Sequence, residues 1–91
     1  MVREGDLVAI FNSIHRVMKA EKVLKERRMA VMLIPVPRSL TSDCGLAIRY
    51  AETDRESILA VLAESDLVPE QIYRFTAGEF VRITDDLPVG S

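Results

Sequence analysis

Apolar and polar positions along the chain repeat with two periods, and the switches between them mark the elements. Leu7 to Phe11 (LVAIF) is an unbroken apolar run, the pattern of a central strand packed on both faces. Asn12 and Ser13 follow, and either can cap a helix. From Ile14 to Arg28 the spacing is helical: Val17, Ala20 and Leu24 form one stripe, with Ile14, Met18 and Val23 at its edges. Lys25, Arg27 and Arg28 fall at the negative end of that helix's dipole. Ala30 to Ile34 (AVMLI) reads as a second strand. Leu46 to Tyr50 (LAIRY) reads as a third, with Leu46, Ile48 and Tyr50 on one face and Arg49 on the other. Thr53 and Glu56 have the spacing of a capping box, ahead of a helix from about Asp54 to Ser65 that buries Ile58, Leu59 and Leu62. Pro69 closes the connection to a fourth strand, Gln71 to Phe75 (QIYRF).

The order strand, helix, strand, strand, helix, strand predicts an α+β, ferredoxin-like sandwich: a four-stranded antiparallel sheet with two helices on one face. Residues 1–76 make this domain and residues 77–91 a C-terminal tail. In the tail, Glu79 to Ile83 can add a short fifth strand, and Asp85 to Ser91 reads as loose. Exposed edges of a small open sheet invite pairing, so a homodimer is expected, with the tail segment supplying the edge.

Between the second and third strands lies Ile34 to Gly45, IPVPRSLTSDCG. It holds the only cysteine, two of the four prolines, an arginine and the hydroxyls of Ser39, Thr41 and Ser42. Pro35 and Pro37 lack backbone donors and are expected to keep the whole segment out of the sheet ladder. They also hold Ile34 and Val36 extended. The segment therefore reads as a stiff loop presenting Cys44. In the predicted topology the first and third strands are antiparallel neighbours, which brings Asn12, Ser13 and His15 near Cys44 and Gly45. The N-terminus of the first helix opens on that edge and favours an anion, a thiolate included. Arg38 adds positive charge, and Asp43 opposes it from the position next to the cysteine. The expectation is a partly exposed thiol, modestly activated. Gly45 permits a positive φ.

Composition narrows the field. Ninety-one residues, 48% hydrophobic and 29% charged, suit one folded domain rather than a disordered chain. With net charge −2 there is no general basic field for nucleic acid. No aromatic platform reads on the polar face of the strands either, so RNA binding is not expected. The N-terminal residues MVREGD are not expected to be a signal peptide, and no apolar run is long enough to span a membrane. A lone cysteine forms no internal disulfide, which points to a reducing cytoplasm. A single histidine gives no metal-ligand spacing, and no nucleotide motif is present, so neither metal nor cofactor is expected.

These motifs resemble a known family. Ser13-Ile14-His15 and Lys19-Ala20-Glu21-Lys22 are similar to its segments at the start of the first helix. Ile34, Pro35, Pro37 and Arg38 match its Ile-Pro-x-Pro-Arg block. Ser39 and Ser42 lead into Cys44-Gly45-Leu46-Ala47, which matches its Cys-Gly-Leu-Ala. The family is that of the small bacterial selenium/sulfur carrier-like proteins, and the likeness runs from about Leu7 to Phe75. Two positions depart from its pattern: Asp43 stands where serine is expected, and the first helix ends Glu26-Arg27-Arg28-Met29 where a glycine turn is common.

The resemblance implies a carrier rather than a stand-alone enzyme, holding sulfur or selenium on Cys44 as a persulfide or selenosulfide. Its partners would be donor and acceptor proteins, meeting a surface of Ser13, His15, Pro35, Pro37, Arg38, Ser39, Ser42 and Gly45. Two other classes stay open on the residues alone: a regulatory ligand-sensing module with Cys44 merely lining a pocket, and a protein-interaction module without sulfur chemistry. Each residue also has a plainer role. A lone cysteine is most often a small buried hydrophobe, Arg38 can bond loop carbonyls, and the charges of the first helix can be a solvated face.

Overall fold

The computed structural model describes residues 2–40 and 45–83. Its elements are β1 (Leu7–Ile10), α1 (Ile14–Glu26), β2 (Val31–Pro35), β3 (Leu46–Tyr50), a 3₁₀ turn (Glu52–Asp54), α2 (Arg55–Glu64), β4 (Gln71–Thr76) and β5 (Glu79–Ile83). The strands lie in the order β2-β3-β1-β4-β5, every neighbouring pair antiparallel. This is the ferredoxin-like βαββαβ sandwich, with the tail segment added at the β4 edge as a fifth strand. The stretch expected to be loose, Asp85 to Ser91, lies outside the described residues.

Strand alternation sorts the sheet into two faces. On one, Leu7, Ala9, Phe11, Ile48, Tyr50 and Ile72 meet Val17, Ala20 and Leu24 of α1 and Ile58, Val61 and Leu62 of α2. Both helices therefore cover the same face. The α1 stripe is fully buried, while Ile14 and Met18 remain 42% and 45% exposed at its edge. On the opposite face Val8, Ile10, Ile34 and Ala47 form a second buried cluster, roofed by Val2, Val36, Leu40, Tyr73 and Phe80. This face is not the polar surface read from the strands. It carries Tyr73, Phe75 and Phe80, and the ring centroids of Phe75 and Phe80 lie 4.9 Å apart with the planes tilted by 50°. The aromatics sit on β4 and β5, however, and the two central strands present Val8, Ile10, Ala47 and Arg49 there. Arg49 pairs with Asp6 at 2.8 Å.

Proline placement differs from the sequence expectation in one respect. Pro35 is inside the ladder, as the last residue of β2 opposite Leu46. The Val36 N–H donates to the Gly45 carbonyl at 3.0 Å, so even-numbered β2 residues face β3 and the Pro35 nitrogen points away from it. On an edge strand that orientation loses no hydrogen bond. The loop proper begins at Val36 instead of Ile34.

Helix ends follow local chemistry. Ser13 is the N-cap of α1, its Oγ accepting from the Arg16 N–H at 3.2 Å. The capping box expected at Thr53 and Glu56 does not form. Thr53 is taken up in the 3₁₀ turn, where the Asp54 N–H donates to the Ala51 carbonyl, and α2 begins from Asp54 without a side-chain cap. Val61 takes the buried position expected of Leu59, which is half-buried.

Both helices end in a Schellman motif built without glycine. Arg28 (φ 62) and Asp66 (φ 57) take the left-handed position. Met29 N–H donates to the Leu24 carbonyl (2.9 Å) and Leu67 N–H to the Leu62 carbonyl (2.8 Å). The ERRM ending thus keeps the turn that a glycine usually makes.

A left-handed residue with a Cβ costs about 1–2 kcal/mol, partly offset in glycine by its looser unfolded chain. Arg28→Gly is therefore expected to stabilise the protein by roughly 0.5–1 kcal/mol, a rise of several degrees in Tm for a domain this size. Thermal denaturation followed by circular dichroism checks this; an unchanged or lower Tm would show that the Arg28 side chain contributes more than its backbone strain costs.

Candidate functional site

The stem of the Val36–Gly45 loop is set by the β2–β3 hairpin. Pro35 faces Leu46, and one residue further the Val36 N–H reaches the Gly45 carbonyl. The Leu40 N–H donates to the Pro37 carbonyl at 2.9 Å, closing a turn with Arg38 and Ser39 at its exposed corner. Val36 and Leu40 turn inward and pack on the cluster of Val8, Ile10, Ile34 and Ala47. Residues 36–40 are thereby drawn over the sheet's open face. Gly45 has φ +74 with nothing within 4 Å of where a Cβ would stand. Backbone conformation, not space, requires glycine there.

The facing wall comes from β1 and α1. Ile10 pairs with Ala47, so the end of β1 lies beside the start of β3, and the same register carried two residues on sets Asn12 level with Gly45. Ser13 then starts α1, and its hydroxyl satisfies the Arg16 amide. Among the described residues no acceptor meets the amides of Ile14 and His15, so the positive end of α1 opens on the edge that holds the loop stem. Arg16, Lys19, Lys22, Lys25, Arg27 and Arg28 outweigh Glu21 and Glu26, making this helix and its cap the most positive part of the chain. Some of that charge is spent locally: Lys25 pairs with Glu21 at 3.2 Å and Arg27 with Glu64 at 3.1 Å.

His15 is exposed and lines a cleft of about 320 Å³ between the start of α1 and the end of α2, with Arg16, Lys19, Ser65, Asp66 and Leu67. The Arg16 guanidinium donates to the Asp66 carbonyl at 2.9 Å, a cation at the negative end of α2. Among the described residues no hydrogen bond joins Ser13 or His15 to residues 36–40 or Gly45. Pro37 is half-buried, Arg38 and Ser39 are exposed, and Gly45 is exposed at the stem. Cys44, Ser42 and Asp43 lie outside the described residues. No group of three or more metal-ligating side chains occurs among the described residues, and no helix there is long and apolar enough to cross a membrane.

Sequence reasoning missed the two apolar anchors of the loop. Val36 between two prolines and Leu40 among hydroxyl residues were the available signal: an apolar side chain in a polar loop needs a surface to cover. The Asp6–Arg49 pair carried no such signal, because it joins residues far apart in the chain across the sheet register.

Comparison with known proteins gives one match. A family model described as "Putative Se/S carrier protein-like" matches residues 6–74. That span runs from the start of β1 into β4 and includes the whole loop. No curated protein matches, and no solved structure does.

Two substitutions test the loop's geometry. Gly45→Ala is expected to cost about 1–2 kcal/mol through its left-handed φ alone, seen as a lower urea midpoint with an unchanged slope. Leu40→Ala removes one inward anchor of a half-buried site and is expected to cost about 1 kcal/mol, less than a fully buried leucine. It should also speed amide exchange at Val36 and Leu40 while β1 amides keep their protection. Unaltered exchange at those two amides would mean that Leu40 does not hold the loop down.

Proposed function

The chain belongs to this Se/S carrier family, and on that premise we propose that it carries sulfur or selenium on Cys44, delivering it between a donor and an acceptor protein. The observation that supports this most directly is the family match across residues 6–74, which takes in the loop and its cysteine. The surroundings favour the chemistry. A terminal sulfur on a carrier is anionic, and the N-terminal end of α1, beside the loop stem, favours anions through its free amides and dipole. Arg38 at the exposed loop corner is available to a partner, and so are Ser39, Pro35 and Pro37 beside it.

The transfer is redox-neutral. The Cys44 thiolate attacks the outer sulfur of a persulfide on the donor; the donor's S–S bond breaks and its thiolate leaves. Cys44 then holds the outer sulfur as a persulfide. An acceptor thiolate attacks that sulfur in turn, and the Cys44 thiolate is released. Selenium follows the same path as a selenosulfide. With no second cysteine in the chain, no internal thiol can displace the cargo as a disulfide. Ser13, His15, Ser42 and Gly45 complete the proposed contact surface, in the reducing cytoplasm of a bacterial cell.

Incubation with a cysteine desulfurase and cysteine, followed by mass spectrometry of the intact chain and its peptides, checks this reading. One added sulfur, removed by a reducing thiol and mapped to the Cys44 peptide, is expected. Cys44→Ser should take up none while keeping the wild-type circular dichroism spectrum. If Cys44 titrates as a free thiol yet gains no sulfur or selenium from any persulfide donor, the carrier reading fails, and a ligand-sensing or docking module without sulfur chemistry takes its place.

A further inference from the structure

The two edges of the sheet are guarded unequally. On β2 the outward-facing positions are Val31, Leu33 and Pro35, and the proline ends the row of donors. On β5 nothing comparable stands among the described residues. The Phe75 N–H donates to the Asp6 carbonyl at 2.9 Å, so Phe75 faces β1. Strand alternation then turns Arg74 and Thr76 toward β5, where their partners are Val81 and Glu79. That leaves Phe80 and Arg82 with their amides and carbonyls pointing away from the sheet. Val81, on the helix-covered side of the strand, is 49% exposed, the largest exposure among the exposed large apolar side chains of the described residues.

We propose that two copies of the chain pair through this edge, β5 against β5, antiparallel about a two-fold axis at Val81. The register follows from the residues. With Val81 opposite the partner's Val81, Phe80 lies opposite the partner's Arg82 and Arg82 opposite the partner's Phe80. The outward-facing backbone groups of each strand thus meet those of the other. On the helix side the two exposed valines cover each other. On the other side each guanidinium lies beside a phenyl ring, an attractive cation–π pairing.

The neighbouring registers are worse. Centring on Arg82 sets two like charges face to face, and centring on Phe80 runs Arg82 against the partner's Gly78 and shortens the ladder. The pairing makes one sheet of ten strands, β2-β3-β1-β4-β5 followed by its mirror order. The two β3 strands are then seven strand spacings apart, about 34 Å, so each loop stem meets its partners independently. The contact is small, which makes the dimer concentration-dependent. The proposal does not rest on sulfur chemistry: loading of Cys44 and pairing of β5 can fail separately.

Sedimentation equilibrium of the full chain from about 1 to 200 µM should show a reversible monomer–dimer equilibrium with substantial dimer at the top of that range. Val81→Lys sets two ammonium groups against each other at the axis, on a position exposed in the monomer. Arg82→Pro removes an outward donor, as Pro35 does on β2, together with the guanidinium that would meet the partner's phenyl ring. Both variants should be monomers at 200 µM with near wild-type melting curves. In a Cys44→Ser background, Val81→Cys should oxidise to a covalent dimer, since facing residues at a non-hydrogen-bonded position have Cα atoms about 4.5 Å apart, within disulfide reach. Arg82→Cys in that background should cross-link far more slowly. A wild-type chain that stays monomeric at 200 µM overturns the proposal. So does a dimer that survives both Val81→Lys and Arg82→Pro, or cross-linking as fast at residue 82 as at residue 81.

Discussion

Burial of β1 on both faces is the constraint from which the rest of the architecture follows. Leu7, Val8, Ala9 and Ile10 are each 1% exposed or less, so every side chain of the strand needs a cover. The odd positions are covered by α1 and α2. Among the described residues no helix covers the even ones. Their roof is assembled from Val2, Val36, Leu40, Tyr73 and Phe80, from the N-terminal segment, the β2–β3 loop and the strands of the β4–β5 hairpin. Each such side chain gains on the order of 1–3 kcal/mol when it leaves water fully, enough to hold short loop segments against their conformational entropy. Val36, Leu40 and Phe80 are therefore tied to the core, although the loop and the fifth strand read locally as surface features.

This shared roof connects packing to function. The residues that anchor the loop are those that seal the open face, and the loop stem ends at Gly45, whose left-handed backbone aims the chain into β3. Cys44 immediately precedes that glycine in the sequence. Val36 and Gly45 clamp the hairpin stem, and the inward side chains of Val36 and Leu40 fix where the chain leaves the sheet. The first helix adds its positive end at the same rim, where Arg16 ties it to the end of α2 through the Asp66 carbonyl.

Electrostatics elsewhere is largely structural. Glu52 receives both Arg74 (2.7 Å) and Arg55 (3.4 Å), joining the 3₁₀ turn to β4. Glu4 accepts the Ala77 amide at the left-handed hairpin turn. Such exposed pairs contribute little individually; their effect is to fix the register of segments that carry few apolar contacts. The Asp6–Arg49 pair is the more consequential one, since its partly buried carboxylate also accepts the Arg3 amide and closes the lower end of the open face.

Local periodicity determined a great deal by itself. The stripe of α1, the alternation in LAIRY, the unbroken run of β1 and a cap at Asn12 or Ser13 depend only on residues a few positions apart, and the fold keeps each of them, with the cap at Ser13. The α1 stripe of Val17, Ala20 and Leu24 is a clear instance. So is the antiparallel pairing of β1 with β3, because the order of six elements leaves few ways to connect them. Tertiary structure decided what depends on distant partners. Whether Pro35 could sit in a strand turned on β2 being an edge and on which way its nitrogen faced. Whether Thr53 capped a helix turned on the 3₁₀ turn that Glu52 braces against Arg74. Whether the loop lay free or folded inward turned on an apolar face that β4 and β5 only complete, some thirty to forty residues later. A side chain's own neighbours in sequence fix its conformation; the surface it covers is fixed by residues the chain brings to it from elsewhere.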